Sequence, residues 1–364
     1  MRIQYLAFIR LPTEKAHGLQ IMKTCEALAG EGHEVELVIP GRKTHIDDDA
    51  FSYHGSAKNF KITELKTPDF VQSGSIGFLI SLVCFAEAAV WRMRYWTADV
   101  IFSRDALVLF QHILLGKKFV YEAHNNLSWV SVLVAKRAKT VVSISEGLKQ
   151  AYVAEGVNPE KIIVVADAVD LKMFENSLSK IEARRRLAIP EGEKIALYVG
   201  RIDGGKGADV FAASSQFLPE GIRVVLIGNG PLAHNLKSTY PKAFFLPETR
   251  YTDLPNVLPA ADILVLPNSG KGSESARNTS PLKLFAYMAS GVPIVASDVP
   301  AIREVLGNPE AFFTAPNEPL TLAQSITKAL HDGGKKKAAA ARSLVEGYSW
   351  GRRAEKILSA ISRD

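Results

Sequence analysis

The chain has 364 residues, of which 47% are apolar and 23% are charged, so its composition excludes a disordered protein and its length favours two domains over one. A formal charge of +6 favours anionic partners, whether nucleic acid, acidic lipid or a phosphorylated small molecule. Cys25 and Cys84 are the only cysteines, which excludes a disulfide framework or a thiolate zinc site and fits a reducing compartment.

The amino-terminal segment predicts a strand, a helix and a second strand. Residues 2–9 are a short apolar run, and residues 18–29 place apolar side chains at helical spacing. Gly30 and Gly32 end this helix before a run rich in Val, Leu and Ile at 33–39. Strands connected in this way are parallel and buried on both faces. The first residues lack the apolar core and cleavage site of a secretory signal, so we expect no export.

The longest apolar segment, residues 76–90, is interrupted by Glu87 and followed by a run rich in Trp and Arg at 91–96. It is too short and too charged for a membrane span of about 20 apolar residues. We expect a buried helix of a globular domain. The alternative is a helix that faces a membrane, with the basic and aromatic residues at its rim.

The strand rhythm continues along the chain and predicts two doubly wound parallel sheets. Further strands of the first sheet are predicted at 100–103, 118–122, 140–144 and 161–165, and those of the second sheet at 195–199, 223–227, 243–246, 262–266 and 293–296. The charged stretch between the two sets marks the junction, which gives domains 1–170 and 171–346.

The tail, residues 347–364, places Ala354, Ile357, Leu358 and Ile361 on one face of a helix. This apolar face must pack on a domain, and the first domain is a candidate.

Two glycine turns follow predicted strands of the second domain. In RIDGGKG, after Gly200, the side chains of Arg201 and Lys206 bracket a glycine-rich loop, and IGNGP supplies Gly228 and Gly230 after the next strand. Parallel sheets bind ligands at this edge, where backbone approaches phosphate and basic side chains add charge-assisted hydrogen bonds. The pattern suits a diphosphate, and an exposed basic turn is the alternative.

The segment TSPLKLFAYMASGVPIVASD at 279–298 predicts a helix start at the same edge. Ser280 and Pro281 lie where the helix begins, Leu282 follows, and Lys283 lies one turn inside. Free amides and the positive end of the helix dipole face an anion there.

RIDGGKG, IGNGP and SPLKLFAYMASGVPIVASD, in this order and spacing, resemble the second domain of retaining nucleotide-sugar glycosyltransferases of the GT-B fold, in the family 4 group. ISEGLKQ, VVADAVDLKMF and YEAHNN resemble the first domain and the junction of the same family. The resemblance covers most of the chain. It implies an α/β protein of two doubly wound, Rossmann-like domains that face a cleft.

The resemblance implies a role for each matching residue. Arg201 and Lys206 hold the donor diphosphate and stabilise it as a leaving group, and His124 faces the donor sugar, with a structural strand-end histidine as the alternative. Gly18 lies under the sugar and phosphate, although His17 replaces the paired glycine that is common there. The remaining donor contacts implied are Gly200, Gly228, Asn278, Ser280, Pro281, Leu282, Lys283 and Ala286.

Asn278 and Ala286 depart from the family pattern, because alignment places them where the family has glutamates near the sugar and at the ribose. Asn278 can still bond a sugar hydroxyl, whereas Ala286 can make no polar contact with ribose. Loss of such bonds costs about 1.5 to 3 kcal/mol, or tenfold to a hundredfold in affinity. Glu274 is a candidate substitute, and a solvated loop acid is the alternative.

The reaction that the resemblance implies is retaining transfer of a sugar from a nucleoside diphosphate to a glycan or lipid-linked acceptor. The fixed cations substitute for a divalent ion, so we expect no metal and no cofactor. The acceptor is expected on the first domain, near residues 10–18 and from Phe70 onward. We expect a cytoplasmic protein, with peripheral contact to the inner face of the membrane as an open alternative.

Three other functions are compared with this one. A nucleotide-sugar-binding module without turnover is the main alternative, because of Asn278 and Ala286. An NAD-dependent dehydrogenase lacks the Gly-x-Gly-x-x-Gly turn and the acid that closes the second strand. Nucleic acid is not an expected partner, since the basic residues are scattered without a reader motif.

Overall fold

The computed structural model of the chain describes residues 1–92, 97–124, 127–272 and 276–362. The chain divides into two compact units, Met1–Ala166 with Trp350–Asp364, and Asp167–Ser349. The aromatic and basic residues at 93–96, which the sequence analysis singled out, lie outside the described residues.

The first unit is built on one parallel sheet. Its strands are β1 (Arg2–Leu6), β2 (Glu34–Pro40), β3 (Lys61–Leu65), β4 (Val100–Ser103), β5 (Phe119–Ala123), β6 (Thr140–Ser143) and β7 (Ile162–Val164). They pair in the order β3-β2-β1-β4-β5-β6-β7, with every pair parallel. The helices between them are α1 (Ala16–Gly30), α2 (Ala50–His54), α3 (Gly74–Arg92), α4 (Ala106–Leu114), α5 (Trp129–Arg137) and α6 (Glu146–Ala154).

The second unit repeats the design with a six-stranded sheet. Its strands are β8 (Lys194–Val199), β9 (Ile222–Ile227), β10 (Phe244–Leu246), β11 (Ile263–Leu266), β12 (Ile294–Ser297) and β13 (Phe312–Thr314), paired in the order β10-β9-β8-β11-β12-β13. Its helices are α7 (Lys180–Arg186), α8 (Ala208–Ser214), α9 (Ala233–Thr239), α10 (Leu254–Val257), α11 (Leu282–Ser290), α12 (Pro300–Arg303), α13 (Pro319–His331) and α14 (Gly334–Leu344). The predicted pair of doubly wound, Rossmann-like sheets is confirmed.

The terminal helix α15 (Trp350–Ile361) belongs to the first unit, where it packs against α1. Its apolar face, which the sequence predicted, joins one core layer of the sheet together with Ile21 and Cys25 of α1. Leu82 of α3, Val108 of α4 and Val134 of α5 form the core layer on the opposite face. Burial on both faces explains why these parallel strands read as continuous Val and Ile runs.

The expectation of a buried helix at residues 76–90 is wrong for half of α3. Leu82, Phe85, Ala86 and Ala89 are buried against the sheet, but Ile76 is 77% exposed on the outer face. Together with the turn before it, this helix is long and apolar enough to cross a membrane, judged by length and composition alone. Hydropathy cannot separate a core helix from one with an apolar outer face, because both have the same composition.

Candidate active site

The glycine-rich loop after β8 lies directly against backbone. Gly207 has a φ of +70°, and a Cβ atom there would lie 1.7 Å from the carbonyl oxygen of Pro267, just after β11. A Cβ atom on Gly200, whose φ is +143°, would lie 3.0 Å from Lys283 Nζ. Only glycine tolerates these conformations and approaches. The loop is therefore held at the carboxyl ends of two neighbouring strands.

Gly228 and Gly230 bring the turn after β9 onto the same loop. Their Cβ atoms would lie 2.0 Å from the oxygen of Gly200 and 2.3 Å from that of Ile202, respectively. The amide of Ile202 donates to the carbonyl of Asn229 at 2.9 Å. The two glycine turns thus form one continuous backbone surface at the edge of the sheet where parallel sheets bind ligands.

Asp203 organises the two predicted cations of the loop. One carboxylate oxygen lies 3.2 Å from Arg201 Nε, and the other accepts the backbone amide of Lys206 at 2.8 Å. The side chain of Arg201 is 69% exposed, so its guanidinium stays accessible to an anion. The sequence analysis missed Asp203, although its place between the two cations was a usable signal.

Lys283 places a third cation beneath this loop. Part of its side chain is exposed, but its Nζ is enclosed and has no hydrogen-bond partner in the part of the chain that the structure describes. The Nζ lies 3.9 Å from the ring centroid of Tyr198. Burial, assisted by the charge of Lys206 and opposed by that of Asp203, lowers the pKa of Lys283 to about 7. A buried ammonium without an acceptor points to an anionic ligand at this place.

The start of helix α11 lies where the sequence predicts it, within one residue. The helix begins at Leu282 with Pro281 before it, and no side chain of the described ranges caps its first amides. The Ser280 hydroxyl accepts a hydrogen bond from the backbone amide of Asp167 at 2.9 Å. This bond connects the residues just before α11 to the segment at Asp167. The positive end of a nine-residue helix, without a side-chain cap among the described residues, is therefore suited to an anion.

The two positions that lack the family's glutamates are both buried. Asn278 is 8% exposed and Ala286 is fully buried. Next to Ala286, the Tyr287 hydroxyl accepts the amide of Val199 at 2.8 Å, which fastens α11 to the end of β8. Glu274, the candidate substitute, lies outside the described residues.

Asn268 is a further polar residue that the sequence analysis missed. It follows β11, is fully buried, and neither its amide oxygen nor its amide nitrogen has a hydrogen-bond partner within the described ranges. The amide of the next residue, Ser269, donates to Gly205 of the glycine loop at 3.4 Å. Because a buried amide side chain normally satisfies its hydrogen bonds, Asn268 is a candidate ligand contact.

In the first unit, a buried carboxylate is hydrogen-bonded and ion-paired to side chains from distant parts of the chain. Glu122 in β5 is fully buried and accepts hydrogen bonds from Tyr5 at 2.8 Å and Gln20 at 2.7 Å. Arg353 of α15 forms a buried ion pair with the same carboxylate and also donates to Thr24. Burial raises the pKa of Glu122, but the charge of Arg353 and the smaller contributions of His124 and Arg104 together outweigh it, and the net pKa falls below its usual range. Glu122 is thus an anion held in the core.

His124 follows β5 next to this cluster. Its Nε2 lies 3.1 Å from Glu122, without the geometry of a hydrogen bond. Burial lowers the pKa of His124 to about 4, and the charge of Arg104 acts in the same direction. The imidazole is therefore neutral at pH 7, so one ring nitrogen can donate a hydrogen bond to a hydroxyl group and the other can accept one.

Gly18 lies in the first turns of α1. Its amide donates to the carbonyl of Lys15 at 2.9 Å, and a Cβ atom there would lie 2.3 Å from Thr13 Cγ2. Close packing against Thr13 therefore requires glycine, and the contact with donor phosphate stays a prediction. Burial also lowers the pKa of His17 to about 4, which makes this neighbour neutral as well.

Chemically, the arrangement in the second unit suits an anionic group such as a pyrophosphate. Arg201, Lys206 and Lys283 supply positive charge, the glycine turns allow close approach, and α11 adds its helix end. No group of three or more His, Cys, Asp or Glu side chains able to hold a metal occurs among the described residues.

Nucleotide-sugar binding should weaken as the pH rises through the pKa of Lys283. Diphosphate binds the charged ammonium better than the neutral amine, so binding takes up a proton where free Lys283 is deprotonated. We expect affinity to fall about tenfold between pH 7 and about pH 9. Titration calorimetry in buffers of different ionisation enthalpy measures the proton uptake. Lys283→Met should bind weakly with no such slope, and an unchanged slope in this variant would contradict the assignment.

Comparison with known proteins assigns the family. Residues 18–173 match the family model described as Glycosyltransferase Family 4, and residues 193–332 match the model described as Glycosyl transferases group 1. The chain carries a family 4 glycosyltransferase domain followed by a group 1 glycosyl transferase domain. The two matched ranges include His124 in the first unit and both glycine turns of the second.

Two relatives show how far this similarity extends. The glycosyltransferase is 23% identical to a D-inositol 3-phosphate glycosyltransferase of Xylanimonas cellulosilytica, over 74% of this chain and 67% of the relative. It is 25% identical to a UDP-Gal:alpha-D-GlcNAc-diphosphoundecaprenol alpha-1,3-galactosyltransferase of Escherichia coli, over 47% of this chain and 46% of the relative. The chain thus matches about half to two thirds of the length of these relatives.

Solved structures support the fold of this glycosyltransferase. HepE of Anabaena, solved in complex with UDP-glucose, superimposes with a TM-score of 0.78 at 18% identity, over 100% of this chain and 99% of that one. Agreement over the full length shows the GT-B architecture.

Proposed function

We propose that this glycosyltransferase moves a sugar from a nucleoside-diphosphate donor to a hydroxyl of a glycan or lipid-linked acceptor, with retention of configuration and without a metal. The observation that carries the proposal is the buried ammonium of Lys283, which has no partner among the described residues and lies beneath a glycine loop that also bears Arg201 and Lys206. A diphosphate supplies the acceptor that this ammonium lacks.

The reaction breaks the bond between the anomeric carbon and the diphosphate oxygen. The bonding electrons leave with the diphosphate, so negative charge grows on an oxygen beside the cations of the second unit. Fixed cations and the α11 helix end stabilise this charge without reorganisation, and they supply the role of a divalent ion. The acceptor oxygen forms the new bond to the anomeric carbon and loses its proton to the departing phosphate or to solvent.

His124 contributes binding and orientation in this proposal. A neutral imidazole can donate to or accept from a sugar hydroxyl, and its low pKa keeps it neutral through the physiological range. Glu122 and Arg353 hold the end of β5 from the core side. Alignment of the sugar, more than proton transfer, is therefore the role proposed for His124.

The acceptor is proposed to bind the first unit, near residues 10–18 and from Phe70 onward. The Escherichia coli relative is named for an acceptor whose sugar is linked to diphosphoundecaprenol, a lipid. By that analogy the proposed setting is the cytoplasm, at the inner face of the membrane.

A donor panel tests the proposed function. The protein is incubated with UDP-, GDP- and ADP-sugars, with and without soluble and lipid-linked glycans, and nucleotide release is measured. We expect acceptor-dependent release from one donor class, unchanged by a metal chelator. A product of inverted anomeric configuration, or release that needs a divalent ion, would contradict the corresponding part of the proposal.

The second candidate function is a nucleotide-sugar-binding module without turnover, which the alanine at position 286 favours. Ala286→Glu restores a carboxylate at the implied ribose position, and we expect about tenfold tighter donor binding. Ala286→Gln, of similar volume without charge, is the matched control. Weaker binding by the glutamate variant than by the glutamine variant would show that the buried site has reorganised around alanine.

A further inference from the structure

The outer face of α3 carries an apolar stripe that the described residues of its unit leave exposed. Ile76, Leu79, Ile80 and Val83 recur at the spacing of one helix face and are 77%, 50%, 46% and 45% exposed. Soluble proteins seldom expose large apolar side chains in such a continuous row. Glu87, which continues the row, accepts a hydrogen bond from Gln111 of α4 at 3.1 Å and ends the stripe.

Helix α4 packs beside α3 and extends the apolar surface. Leu114 and Leu115 at its end are 74% and 50% exposed. The chain then turns at Gly116 into Lys117 and Lys118, both exposed. Apolar and basic side chains are thus adjacent on this layer of the first unit.

The two lysines line a basic pocket at the amino edge of the sheet. The pocket has a volume of about 410 Å³ and is also lined by Arg137, Lys139 and Lys161, with no acidic side chain among its described lining residues. Lys139 donates to the carbonyl of Ile361. Lys117, Lys118 and Arg137 form no ion pair within the described ranges, unlike exposed Arg185 and Arg352 elsewhere.

We propose that the stripe of α3, together with Leu114, Leu115 and the basic pocket, docks the protein on a bilayer that contains anionic phospholipid. The apolar side chains enter the boundary between headgroups and acyl chains, and Lys117, Lys118 and Arg137 contact lipid phosphates. The charge of the pocket selects the anionic lipid. The inference rests on the membrane setting proposed above but is independent of the transfer chemistry.

The helix lies on the membrane and does not cross it. Leu82, Phe85, Ala86 and Ala89 pack into the core of the first unit, so α3 cannot leave the sheet without exposing this core. A helix with one face in a protein core and one apolar face outward is suited to the interface plane.

Vesicle sedimentation of the full chain tests the inference. The probes are vesicles of phosphatidylcholine alone and vesicles of phosphatidylcholine with phosphatidylglycerol. We expect binding to the second kind that weakens with salt. Leu79→Ser with Val83→Ser should lower this binding at least about tenfold, and Lys117→Glu with Lys118→Glu by a similar factor.

Matched controls come from the second unit. Phe217→Ser changes an equally exposed side chain, and Lys335→Glu with Lys336→Glu makes the same charge change, so both should bind like the wild type. Nucleotide-sugar affinity without vesicles should be equal in all variants, which separates failure of this inference from failure of the proposed function. Equal vesicle binding by the stripe variant and the wild type would overturn the inference. So would a wild-type dimer that the stripe variant converts to monomer, because the occupant would then be a second copy.

Discussion

Lys206→Ala is expected to lower the affinity for the nucleotide-sugar donor about tenfold to a hundredfold, with little change in stability. The side chain extends from the glycine loop, beside the ammonium of Lys283 and next to the Asp203 turn. Its loss removes a charge-assisted hydrogen bond to diphosphate, worth about 1.5 to 3 kcal/mol. Titration calorimetry with the donor identified by the panel measures the dissociation constant.

The matched control is Lys237→Ala, which removes the same charge from an exposed helix position in the same unit. It should leave the dissociation constant within about twofold of the wild type. A Lys206→Ala variant that both binds donor and turns it over as the wild type does would remove Lys206 from the proposed diphosphate site. Loss of turnover with unchanged binding would instead assign Lys206 to the leaving group alone.

Arg353→Leu is expected to lower the free energy of unfolding of the first unit by about 3 to 5 kcal/mol, because it leaves Glu122 as an unpaired, fully buried carboxylate. The pKa of His124 should also rise, since the charge of Arg353 helps to lower it. Urea unfolding of the full chain measures the first effect, and NMR titration of the imidazole the second.

Arg352→Leu is the control, because Arg352 is next to Arg353 in the sequence and its side chain is 65% exposed. Adding Glu122→Gln to Arg353→Leu removes the unpaired charge and should restore part of the lost stability. A loss below about 1 kcal/mol in the single variant would show that Tyr5 and Gln20 suffice to hold the carboxylate.

The difference between predicted and observed strands follows from burial. The central strands were predicted within one or two residues, apart from a longer estimate at residues 2–9, because burial on both faces selects unbroken Val, Leu and Ile. β3, KITEL, and β13, FFT, were missed. Both lie at sheet edges: β3 is interrupted by Lys61 and Glu64, and β13 has only three residues, so neither forms a long apolar run.

Within the site, the residues joined by local sequence were predictable and those joined by folding were not. Arg201 and Lys206 lie in one loop, and together with the second glycine turn and the predicted helix start they indicated a diphosphate site. Glu122 and Arg353 are separated by 231 positions, and no local pattern around either residue predicts that they form a pair. Asn268 reads as an ordinary loop residue until its buried, unpartnered amide is seen.

The sequence by itself determined the two parallel sheets, the glycine turns at their strand ends and the family, because these depend on local periodicity and on short motifs. Only the tertiary structure decided that α3 turns an apolar face outward, that the Lys283 ammonium is enclosed with no acceptor in the described part of the chain, and that α15 places Arg353 against Glu122. Burial and long-range pairing arise from the packing of distant segments, which no local pattern encodes.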